Sequence, residues 1–138
     1  MPTIKFITDL KLSPPKTGKL WDVLESFEVV IDEVMIKVSA GTKTDGASIP
    51  RFLWRVVDHP FQRLMIYAAV VHDAGYHGTA KAIDATTRQP IETDKDFFDK
   101  AFLDIMLHCG VSRVKAYIAY KGVSIFGGSS WEAGHQNG

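Results

Sequence analysis

The sequence predicts one small α+β domain, a short antiparallel sheet first and about three helices packed on it afterwards. Two patterns and a length predict it. In "FEVVIDEVMIKVS" the apolar residues fall at every second position, at Phe27, Val29 and Ile31, then Val34, Ile36 and Val38. That is the period of a half-buried antiparallel sheet. Beyond residue 58 the punctuation becomes that of helices, with proline near starts and glycine at stops. A chain of 138 residues is long enough for one core, which buries about two thirds of the unfolded surface.

Each element follows in order. "TIKFITD" supplies a first strand alternating through Ile4 and Phe6, and "LSPPKTGK" is a turn-rich break. Asp32-Glu33 is the turn of the hairpin. Residues 40–50, "AGTKTDGASIP", read as a loop with Gly41 and Gly46 at its bends. Ser48 before Ile49-Pro50 starts a short helix, "RFLWRVV". The main helix has Asp58 or His59 as cap, Pro60 in its first turn and Gly78 as its stop. Leu64, Tyr67, Ala68, Val71 and Gly75 form one stripe along it. Residues 78–92, with Pro90, read as a loop. Thr93 starts a second helix, with Asp96 at near capping-box spacing and Gly110 as the stop. "SRVKAYIAYKGVSIF" is a third helix. The domain is 1–138, with its core at about 3–126 and a polar tail at 127–138 that holds Trp131.

Composition narrows the function classes. Sixteen basic residues balance sixteen acidic ones, which argues against a general nucleic-acid binder. Cys109 is the single cysteine, so neither an intramolecular disulfide nor a CxxC metal site can form. It reads as a small buried hydrophobe. The longest wholly apolar run, "LMIYAAVV" at 64–71, is too short to span a bilayer. The start, "MPTIKFITDLKLSPP", is too polar for a signal peptide. No GxSxG, HExxH, Walker or GxGxxG pattern occurs.

The chemistry concentrates in "AAVVHDAGYHG", residues 68–78. His72 and Asp73 end an apolar helix, where ionisable groups are costly unless paired or metal-bound. Neighbours on a helix point about 100° apart, so each needs its own partner. Tyr76 shares a face with His72. The expected partner of His72 is Asp94, on an inward face with Phe97, Phe98, Ala101 and Ile105. A carboxylate there would fix the tautomer of the imidazole. Asp45, in "TDGAS", would face the His72-Asp73 helix, and Asp45 and Asp73, with Asp94 and His72, would hold a divalent cation, calcium before zinc. Against this stands a plain reading: a polar network ties helix to loop, Asp94 sits where first-turn acids are favoured, and Asp45 makes an Asx turn. His59, His77, His108 and His135 fit caps, exposed ends or the tail.

Four ordered blocks, "TDGASIPRFLW", "AAVVHDAGY", "TDKDFFDKAF" and "GVSIFGGSSW", resemble a family of small phage and prophage proteins, domain of unknown function thirteen-fifty-three. The resemblance spans about residues 27–131 and implies a phage or prophage gene, often near tail or lysis genes, with no settled activity. Such a protein is expected in the host cytoplasm when made, and in the virion under one of the two readings below. A shorter resemblance is to phospholipase A2, in the HDxxY segment followed by an acid on another helix. It implies His72 as general base, Asp73 as calcium ligand, Tyr76 as support and Asp94 as the group that orients His72. That family's glycine-rich calcium loop has no recognisable counterpart beyond "AGTKTDGAS". The segment "AAVVHDAGY" is also similar to the metal-binding stretch of HD-domain phosphohydrolases, a likeness that the N-terminal strands oppose.

Two functions therefore compete. One is a metal-assisted hydrolase acting on lipid or cell-envelope material. The other is a non-enzymatic tail, baseplate or assembly component, bound to other virion proteins, in which the same residues are structural. The hydrolase predicts His72 and Asp73 open to a pocket, and the structural protein predicts them buried and paired. A homo-oligomer is compatible with either, although no heptad pattern marks an interface.

Overall fold

The computed structural model describes residues 2–13, 21–44, 66–128 and 131–132. The expected short helix at 51–57, the start of the main helix, and Asp45 and His59 lie outside the described residues. The strands are β1 (Ile4–Phe6), β2 (Leu12–Ser13), β3 (Trp21–Val23), β4 (Phe27–Ile31), β5 (Val34–Val38), β6 (Lys43–Thr44), β7 (Ala80–Asp84) and β8 (Pro90–Ile91). The helices are α1 (Ile66–Tyr76), α2 (Lys95–His108) and α3 (Arg113–Phe126). One sheet has the order β1-β4-β5-β7-β8 and a smaller one β2-β3-β6. Every described strand pair is antiparallel. The class is the expected α+β.

The β4–β5 hairpin forms where the alternation placed it. Ile31 pairs with Val34 across a two-residue turn, and Asp32 takes a positive φ of 53° there. Its carboxylate accepts the Thr3 backbone N–H at 2.9 Å, which ties β1 to the turn. Phe27, Val29, Ile36 and Val38 are fully buried on one face.

The segment 78–92 is corrected from loop to sheet. Ala80–Asp84 pairs with Val34–Val38 along its whole length. "AKAID" is weak in strand-forming side chains, but the open edge of β5 supplies the partner and Ala80 and Ala82 turn inward. Pro90 lies in β8 at the end of the sheet, where a missing N–H leaves no ladder bond broken.

Helix α1 is buried from Ala68 to Tyr76, because it lies between β5, β7 and α2. A helix enclosed on all sides needs apolar or small residues around its whole circumference, and "AAVV" with Ala74 and Gly75 provides them. Gly75 is the point of closest approach: a Cβ there would overlap the Phe98 ring of α2. Gly78, at φ 76°, stops the helix as expected, its N–H donating to the Gly75 carbonyl.

Helix α2 begins one residue later than the capping-box reading. Asp94 is its cap and accepts the Phe97 N–H at 2.8 Å, while Asp96 is exposed in the first turn. Ser112 caps α3 through the Lys115 N–H. The start of the tail is tied to the helices. The Trp131 N–H donates to the Gly127 carbonyl at 3.0 Å, and its ring packs edge-on against Tyr76 and near Phe98.

Candidate functional site

His72 and Tyr76 are one turn apart on α1, and their rings lie 4.1 Å apart, centroid to centroid. Both turn toward α2. The carboxylate they meet belongs to Asp99, not to Asp94. His72 Nε2 is 2.8 Å from Asp99 Oδ1, and the Tyr76 hydroxyl donates to the same oxygen at 2.7 Å. Lys95 Nζ donates to Asp99 Oδ2 at 2.6 Å. Lys95 also reaches the carbonyls of Val123 and Ser124, each at 3.1 Å. These lie in the last turn of α3, and the Val123 carbonyl also accepts the Gly127 N–H at 2.9 Å. Four side chains thus bind three helices together.

The expected role of Asp94 is therefore corrected on geometry. It is exposed, and its side chain is spent on capping α2. Its i+3/i+4 relation to Phe97 and Phe98 made it look inward, but a cap residue stands outside the helical face. Asp99 and Lys95 were missed. The signal was present: Asp99 precedes Phe102, Leu103 and Met106 by three, four and seven positions, and all three are buried. An acid in such a stripe, with a lysine four residues before it, announces a buried pair.

The network fixes its own protonation. Burial pushes the Asp99 carboxyl up, but hydrogen bonds from His72, Lys95 and Tyr76 outweigh it and hold the group below its usual range. Asp99 is thus an ionised acceptor, so His72 Nε2 must be the donor. In that tautomer Nδ1 carries a lone pair. Nδ1 is buried with no hydrogen-bond partner among the described residues. Burial, the hydrogen bond to Asp99 and the charges of Asp99, Asp96 and Asp73 push the Tyr76 phenol far up. It remains a proton donor throughout the working range.

His72 and Asp73 are both 0% exposed. Asp45, the expected second carboxylate of a cation site, lies outside the described residues. Among the described residues no group of three His, Cys, Asp or Glu side chains could hold a metal ion. His77 and His108 are exposed, in keeping with their positions at helix ends.

Gly127 closes the network from the side. A Cβ there would overlap the Val123 carbonyl and stand 2.6 Å from the Tyr76 hydroxyl. Gly127→Ala is expected to push that hydroxyl off Asp99 and to cost about 1–3 kcal/mol. Urea denaturation measures the cost, and smaller losses when Tyr76 is already phenylalanine would locate it at this contact.

An uncharacterized protein, y4iH, of Sinorhizobium fredii (strain NBRC 101917 / NGR234) is 37% identical over 86 residues, 62% of this chain and 31% of that protein. A second from the same organism, y4jT, is 44% identical over 36 residues, 26% of this chain and 11% of that protein. The chain thus spans a third or less of the length of these relatives. No solved structure matches it. A family model covers residues 21–123, a stretch that includes His72, Asp73, Tyr76, Lys95 and Asp99, and the chain belongs to that family, described as protein of unknown function (DUF1353).

Proposed function

We propose that His72 and Asp99 form a hydrolytic dyad, in the manner of the phospholipase A2 arrangement that the HDxxY segment resembles. The observation that carries this reading is the division of labour on one imidazole. Nε2 is bound to an ionised carboxylate, and Nδ1 keeps its lone pair. His72 Nδ1 takes a proton from water as the oxygen attacks an ester carbonyl, and returns it to the leaving alcohol. Asp99 holds the ring and stabilises the imidazolium that forms, and Tyr76 and Lys95 hold Asp99. A divalent cation, calcium before zinc, would supply charge for the oxyanion when bound at Asp73 and Asp45. The substrate class is lipid or cell-envelope ester, and the setting is a phage or prophage protein. His72 is 0% exposed, so water and substrate reach Nδ1 only through a local opening of the fold.

That burial favours a second reading, a non-enzymatic virion component in which the four side chains lock α1, α2 and α3. His72→Gln separates the two, since glutamine can still donate to Asp99 but is no base. Under the hydrolytic reading, ester hydrolysis falls by about 10²–10⁴-fold while the melting temperature changes little. Under the structural reading no hydrolysis is measurable above background in either protein. Calorimetric titration with calcium, zinc and manganese, on wild type and Asp73→Asn, tests the cation. Binding lost in the variant is the expected result.

A further inference from the structure

Among the described residues, nothing covers the outer face of helix α3. Its inner face, with Ala116, Ala119, Gly122 and Val123, is buried and packs on α2. On the outer face Val114 is 70%, Ile125 69% and Tyr117 47% exposed. With half-buried Ile118 they follow a helical stripe at 114, 117, 118 and 125. Lys121 stands in the middle of that stripe and Arg113 at its edge. Residues 113–126 contain three cations and no acid, in a chain whose charges balance overall. Apolar side chains this exposed on one helix face are a contact surface waiting for a partner.

Charge decides which partner. Pairing the stripe with a second copy of the chain sets two copies of Lys121 against each other in a desolvated contact, which is unfavourable. An anionic surface is complementary. We propose that the outer face of α3 docks on an anionic lipid surface, with Val114, Ile118 and Ile125 below the headgroups, Tyr117 at their level, and Arg113 and Lys121 on the phosphates. The helix, about 21 Å long, lies flat; no described helix is long and apolar enough to cross a membrane. This inference stands on the exposure and charge of α3 and does not depend on hydrolysis by His72.

Co-sedimentation of the full chain with vesicles tests it. Vesicles of equal phosphatidylglycerol and phosphatidylcholine should bind the protein, and phosphatidylcholine alone should bind it weakly. Val114→Gln/Ile125→Gln, at positions too exposed to affect folding, should lower the partition coefficient about tenfold. Lys121→Gln should lower it about fivefold, and raised salt should mimic that change. Equal binding to both vesicle types, or binding unchanged in both variants, overturns the proposal. So does a concentration-dependent dimer that Val114→Gln/Ile125→Gln abolishes in a protein that ignores vesicles.

Discussion

Asp99→Ala is expected to destabilise the fold by about 3–5 kcal/mol, measured by urea denaturation against wild type. The change strands three buried or half-buried donors at once: His72 Nε2, the Tyr76 hydroxyl and Lys95 Nζ. Lys95 becomes an uncompensated charge beside the core. Domains have about 5–15 kcal/mol in total, so the variant should be barely folded at room temperature. Asp99→Asn keeps the shape and one acceptor but turns an amide N–H₂ toward another donor. It should cost less, about 1–3 kcal/mol. The same carboxylate predicts a pH dependence. Its folded value lies below the unfolded one, so the unfolded chain takes up the proton first as pH falls. The stability it contributes is complete above the unfolded value of about 3.9 and drains away as pH falls through the folded value. The acid-unfolding profile of Asp99→Asn should be flatter in that window than that of wild type.

Gly75→Ala is expected to cost about 1–3 kcal/mol or more, although alanine is the better helix former. The added methyl overlaps the Phe98 ring, and Phe98 is 1% exposed, inside a core where displaced rings meet packed neighbours. Strain should therefore outweigh propensity. Phe98→Leu removes the ring face that the methyl meets. In the double variant Gly75→Ala/Phe98→Leu the cost of the alanine should shrink, a non-additivity expected of touching residues. Full additivity would place the close approach elsewhere.

Local pattern carried the elements whose partners are adjacent in the chain. The β4–β5 hairpin needs only its own alternation and a two-residue turn, and α3 needs only Ser112 as cap and a stop at Gly127. Strand β7 was not legible, because Ala80–Asp84 becomes a strand through the edge that β5 offers it rather than through its own side chains. The site was half legible. "HDAGY" announced His72 and Tyr76 on one face, since i and i+4 is a local relation. Their partner was misassigned by one and a half turns of α2. Asp94 satisfied the inward periodicity on paper, but cap geometry removes it from the helical face. Which of several acids on α2 faces α1 depends on the rotation of one helix against another, set by Gly75 admitting Phe98. The link from Lys95 to the carbonyls of α3 is wholly tertiary.

The central claim is that Asp99 holds His72 in one tautomer, with the proton on Nε2 and a lone pair on Nδ1. Long-range ¹H–¹⁵N correlation of His72 at neutral pH reads this directly. The account predicts a protonated Nε2, an unprotonated pyridine-type Nδ1, and loss of that preference in Asp99→Asn. A proton on Nδ1 in the wild type, or a spectrum that Asp99→Asn leaves unchanged, would contradict it.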